Sequence, residues 1–142
     1  MRDFAQDLML AHHLADLADS ITRVRYQSLD LVIETKPDLT EVTDADKAVE
    51  AKIREVLATA RPDDLVVGEE FGTPALTAGS YYWVIDPIDG TKNFLRGIPT
   101  WATLIGLCNP EGEVVAGVVS APALYRRWFA ALGTGAYVSE NG

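Results

Sequence analysis

Two carboxylates three residues apart, Asp86 and Asp89, stand directly behind the run Tyr81-Tyr82-Trp83-Val84-Ile85. An aromatic and β-branched run of this kind reads as a buried strand. Pro87 fixes φ just after the first acid, Gly90 leaves the backbone bare just after the second, and the Thr91 hydroxyl follows at once. A second strand-like run, Leu65-Val66-Val67-Gly68, also stops on acids, Glu69 and Glu70. If the two runs are neighbours, Glu69, Asp86 and Asp89 converge, and Asp44 joins them from the start of a helix. Crowded like charges are costly unless a cation compensates them. A donor set of oxygens, without cysteines or a histidine cluster, favours a hard cation, Mg²⁺ first. Asp86, Asp89 and the Ile88 carbonyl present three oxygens in one tight turn. The Gly90 and Thr91 amides then lie where a short helix starts, a ready phosphate cradle. The chemistry expected of this corner is metal-dependent phosphoryl transfer.

A covalent route through an aspartyl nucleophile is disfavoured. Phosphatases of the haloacid dehalogenase type use Asp-x-Asp-Gly-Thr at a strand end. Here the order is Asp86-Pro87-Ile88-Asp89-Gly90-Thr91, one residue too long between the acids.

The elements that must position these residues follow from periodicity. Phe4, Leu8, Ala11, Ala15, Ala18 and Ile21 recur at helical spacing, so residues 3–26 read as an amphipathic helix. His12 and His13 are adjacent within it and cannot share a face, which makes them surface or boundary residues rather than ligands. Residues 29–35 alternate as a strand, broken by Lys36-Pro37-Asp38. A second helix should start at Thr43, an N-cap in a Thr43-x-x-Asp46 capping box, with Ala45, Ala48, Val49, Ile53, Val56, Leu57 and Ala60 as its buried stripe. Asp46 is read here as a cap and nothing more. A loop is expected over 71–80, a hairpin from 101–108 and 113–120, and strands at 125–132 and 136–138. Two helices followed by consecutive strands predict an α+β fold, a mostly antiparallel sheet with helices on one face.

Composition closes off several classes. The 142 residues suit one domain, and 12 basic against 21 acidic residues give a net charge of −9, which argues against nucleic acid or an anionic membrane as partner. That charge does not exclude an anionic substrate, because bound metals invert the local sign. No apolar run nears the roughly 18 residues of a membrane span. The first residues carry acids where a secretion signal carries a basic then an apolar region. The single Cys108 rules out a disulfide framework and a cysteine-rich zinc site. A soluble cytoplasmic protein is the expectation.

With these motifs in this order, the sequence resembles the inositol monophosphatase family of Mg²⁺-dependent phosphatases. Gly68-Glu69-Glu70 and Trp83-Val84-Ile85-Asp86-Pro87-Ile88-Asp89-Gly90-Thr91 are similar to its first two motifs, and Thr43-Asp44 to the segment ahead of them. The stretch from Asp86 to Leu107, with Val118 to Leu124 and Arg126-Arg127-Trp128, resembles the histidinol-phosphate phosphatase branch. The resemblance implies that Glu69, Asp86 and the Ile88 carbonyl hold one Mg²⁺, that Asp86 and Asp89 share a second, and that Glu69 helps with a third. It implies Asp44, Thr91 and Glu69 as catalytic residues, the first two orienting and deprotonating the attacking water. Glu69, Ile88, Asp89, Gly90 and Thr91 would line the phosphate, with Lys36 nearby and Glu70 behind. It also implies an N-terminal metal-binding portion, residues 1–142, of a longer phosphatase, because the Trp-Asp motif of the family's second half is absent: Trp83, Trp101 and Trp128 are not followed by Asp. The exposed sheet edge of such a portion invites pairing, so a homodimer joins a small phosphorylated substrate among the partners considered. Three readings stay open: a histidinol-phosphate phosphatase, a phosphatase of inositol phosphate or another small phosphomonoester, and a folded fragment that binds metal or phosphate without turnover.

Overall fold

The computed structural model describes residues 1–38, 40–72 and 74–140; Leu39, Thr73 (within the expected loop), Asn141 and Gly142 lie outside them. Helix α1, Phe4–Arg25, starts where Asp3 accepts the Ala5 amide at 2.9 Å. It buries Ala11, Leu14, Ala15 and Ala18, and leaves His12 half-buried and His13 exposed. The strand expected over 29–35 contracts to β1, Ile33–Thr35, which pairs with an unanticipated β2, Glu41–Thr43, in a small antiparallel ribbon. Residues 26–30 turn instead of extending, because Arg25 at the end of α1 reaches the Asp30 side chain and carbonyl at 2.9 and 3.0 Å. Helix α2, Asp44–Ala60, begins with both halves of the Thr43–Asp46 capping box formed. Ala48, expected in its buried stripe, is exposed; the stripe runs through Ala45, Val49, Ile53 and Leu57 and carries two acids, Asp46 and Glu50.

Six strands then form one sheet in chain order: β3 (Leu65–Gly68), β4 (Tyr82–Asp89), β5 (Ala102–Cys108), β6 (Val114–Ala121), β7 (Arg126–Ala131) and β8 (Gly135–Glu140). Only β3 and β4 run parallel. Their connection is the long segment 69–81, and a parallel pair requires a connection of that order. The inward side chains Trp83, Ile85, Ile105, Leu107 and Val118 alternate along their strands and pack with α1 and α2 into the main core. The expected α+β class, with helices on one face of a mostly antiparallel sheet, is what the chain adopts. The opposite face is apolar and open, with Val84 40% and Trp128 39% exposed along a groove that also includes Leu104, Gly106 and Tyr137. Among the described residues no helix is long and apolar enough to cross a membrane.

Strand β4 does not stop at Asp86. It continues to Asp89 through a register shift in which Asp86 faces Leu104 and Asp89 faces Ala102, three steps on β4 against two on β5. In a regular strand, residues three apart point to opposite faces; one extra residue returns the second acid to the face of the first. Pro87 suits this position because it has no amide to leave unpaired. The fully buried Thr103 donates its hydroxyl to the Pro87 carbonyl at 2.8 Å and fastens the bulge.

Candidate metal and phosphate site

The parallel pairing of β3 and β4 brings their C-terminal ends together, with Gly68 opposite Ile85. Glu69, the first residue past β3, therefore lies beside Asp86, which is still within β4. Beyond Asp89 the chain bends sharply at Gly90, whose φ of +90° is left-handed. A Cβ there would lie 3.0 Å from the Thr100 carbonyl oxygen, so the position suits glycine twice over. Helix α3, Thr91–Leu95, follows, anchored by Phe94 packed edge-on against Trp101 at 4.9 Å between centroids.

These ends enclose a cleft of about 380 Å³ whose walls include Asp46, Glu69, Glu70, Asp86, Ile88, Asp89, Gly90 and Thr91, with Lys36 and Lys92. Six of the expected residues are therefore gathered: Glu69, Asp86, Ile88, Asp89, Gly90 and Thr91. Lys36 is among the lining residues as well, and its ammonium meets Glu70 at 3.0 Å.

Asp44 is the exception. It pairs with Arg25 at 2.7 Å and accepts the Val32 amide at 3.2 Å, and it is not among the residues lining the cleft. As the first residue of α2 it is turned back toward α1 and β1. Asp46, two residues on, lies on the other side of the helix start. Its Oδ2 closes the cap, accepting the Thr43 amide at 2.8 Å and hydroxyl at 2.6 Å. Its Oδ1 is 3.4 Å from the Thr91 hydroxyl. The same hydroxyl reaches the Ile88 carbonyl at 3.1 Å, so its one proton is shared between two acceptors. Reading Asp46 as a cap alone was incomplete: the cap occupies one carboxylate oxygen and leaves the other for the cleft. The available signal was the buried side of the stripe, since Asp46 falls with Val49, Glu50 and Ile53, and Asp44 does not.

The charge density is high and poorly compensated. Burial, followed by the neighbouring charges of Glu69, Asp89, Asp46 and Glu70, pushes the Asp86 carboxyl up to about 7. Burial also raises Asp46 and Glu70, against hydrogen bonds from Thr43 and Lys36 respectively. A hard cation would relieve this repulsion, and the donors on offer, carboxylates and a carbonyl, fit Mg²⁺. Among the described residues, no three acidic, histidine or cysteine side chains close on one point by themselves. An ion here would take one or two carboxylates and complete its shell with carbonyl, water or phosphate oxygens, the usual habit of Mg²⁺.

The profile of the inositol monophosphatase family matches residues 5–141. The chain belongs to the inositol monophosphatase family. Among its relatives, the histidinol-phosphatase of Mycobacterium tuberculosis is 60% identical over 96% of the chain and 52% of the relative. That of Streptomyces coelicolor is 55% identical over 99% of the chain and 53% of the relative. The Thermotoga maritima IMPase superposes with a TM-score of 0.84 at 30% identity, over 94% of this chain and 51% of that one. The chain thus spans about half the length of the inositol monophosphatase family members it is compared with.

Proposed function

We infer that the chain is the metal-binding part of a phosphomonoesterase acting on histidinol phosphate, releasing histidinol and phosphate. The observation that carries this reading is that four carboxylates, Asp46, Glu69, Asp86 and Asp89, line one cleft with the Thr91 hydroxyl. Identity of 55–60% to two histidinol-phosphatases supports the substrate. The share of those relatives that the chain spans supports placing the rest of the substrate pocket on further chain.

Glu69, Asp86 and the Ile88 carbonyl would hold one Mg²⁺, and Asp86 with Asp89 a second, with Glu69 helping a third where one binds. Bound ions supply acidification of water and neutralisation of phosphoryl charge. The chain's own residues do the rest. The Gly90 and Thr91 backbone receives phosphate oxygens. Thr91 orients the attacking water through its hydroxyl, and Asp46 accepts the proton passed on by that hydroxyl, the part expected of Asp44. Water attacks phosphorus directly, the P–O bond to histidinol breaks and the leaving oxygen takes a proton from solvent, so no side chain is phosphorylated.

A substrate panel tests the reading. The protein carrying this chain at its full natural length should release phosphate from histidinol phosphate faster than from inositol 1-phosphate. The opposite preference would place it with relatives such as the Rhizobium meliloti inositol-1-monophosphatase, which is 39% identical over 79% of the chain.

A further inference from the structure

Glu50 is completely buried yet ionisable, and it sits one helical turn beyond Asp46 on the same side of α2. Its carboxylate does not enter the cleft. Instead Oε1 accepts the Glu70 amide at 2.7 Å and Oε2 accepts the Phe71 amide at 2.8 Å. Arg54, a further turn along, donates to Oε2 at 3.0 Å and spans to the Gly72 carbonyl at 2.7 Å. Two side chains of one helix thus grip the backbone of the turn that follows β3. Gly68 belongs to the same arrangement: a Cβ added there would collide with the Glu50 carboxylate. The acid can approach the turn closely only because residue 68 has no side chain.

We propose that Glu50 is a positioning residue that fixes the Glu69 carboxylate relative to Asp46 by clamping the 69–72 turn to α2. The proposal rests on the reading of the cleft as a hard-cation site. Through Glu50, one rigid helix holds both Asp46 and the backbone next to Glu69, so the separation of the two acids is set by α2. A carboxylate is needed because both amides donate, and only an acceptor-only group with two oxygens satisfies both. Arg54 places a counter-charge against this buried carboxylate at 3.0 Å. Glutamine at 50 keeps the volume but turns one acceptor into a donor facing an amide. The turn then loses one of its two anchors.

The test measures Mn²⁺ binding to the chain by electron paramagnetic resonance, alongside amide hydrogen exchange. Outer-shell partners of metal ligands typically change affinity by about 10–100-fold when removed, so Glu50→Gln should weaken Mn²⁺ binding by about tenfold. Exchange at the Glu70 and Phe71 amides should quicken while the α2 amides stay protected. Gly68→Ala, which leaves Glu50 intact but displaces its carboxylate, should do the same and replaces Glu50→Gln if that variant does not fold. Asp86→Asn should weaken binding without quickening those two amides. Affinity within about twofold of the parent in the folded variants overturns the proposal, as does loss of protection throughout α2. A parent chain that binds no Mn²⁺ overturns the cation reading and the proposal together, which separates the two failures.

Discussion

Asp46 and Thr91, 45 positions apart in sequence, face each other across 3.4 Å between Oδ1 and Oγ1. One belongs to the first turn of a helix, the other to the first residue of a short helix after the sheet, and the cleft lies between them. The carboxylate that closes a capping box thereby also lines the cleft. This dual use separates the effects of the neighbouring acids Asp44 and Asp46.

Substituting Asp46→Asn in the full-length protein should lower kcat by roughly a hundredfold or more, the range for loss of a general base. Asp44→Asn should leave kcat within a few-fold, because its partners are Arg25 and the Val32 amide. Steady-state kinetics at saturating Mg²⁺, with melting curves of both variants, checks the contrast. Equal loss of rate in the two variants would show that Asp44 carries the role.

Thr103→Val retains shape but removes the hydroxyl that fastens the Pro87 carbonyl. An orphaned buried acceptor costs about 1–3 kcal/mol. Urea unfolding of the chain should register that loss, and Thr103→Ser should recover most of it. Unchanged stability in the valine variant would mean that the bulge holds without the pin.

The metal-free chain should become less stable as pH rises from about 4 toward 7. The folded chain keeps the Asp86 proton up to about 7, whereas the unfolded chain releases it near 3.8. The stabilisation is complete below the lower value and lost through the upper one. Asp46 and Glu70, also raised, act in the same direction. Asp86→Asn should flatten part of this slope, and Mg²⁺ should offset it by favouring the ionised form. Denaturant midpoints across pH, with and without Mg²⁺, check both statements; a slope unchanged in the asparagine variant would contradict the first.

Between α1 and strands β6 and β7, buried Asp19 accepts from Ser120 at 2.8 Å and pairs with Arg127 at 2.8 Å. Arg127→Met should destabilise the chain by about 3–5 kcal/mol by leaving that carboxylate uncompensated. Mn²⁺ affinity per folded molecule should not change, which calorimetry and resonance titration together check.

Much of this was legible in residue order. The helical periodicity of residues 3–26, the strand runs and the acids behind them led to both long helices, the strands of the main sheet and most of the cleft, though not to β2. Three features were not legible, for physical reasons. Which side of α2 faces the cleft depends on its docking against β4, and that selects Asp46 over Asp44. The bulge at Pro87 depends on pairing with β5, so strand pattern alone ended β4 at Asp86. Nothing in the residue order singles out Glu50; its two acceptors meet amides some twenty residues away, contacts that only the packed turn creates.

The most direct test of the central claim is Mg²⁺-dependent phosphate release from histidinol phosphate by the full-length protein, compared with its Asp86→Asn/Asp89→Asn double variant. The parent should be active only with Mg²⁺, and the double variant should lose roughly a thousandfold or more, as expected when ions stabilising a phosphoryl-transfer transition state are removed. Release that continues undiminished in the double variant would contradict the assignment of this cleft as the metal site.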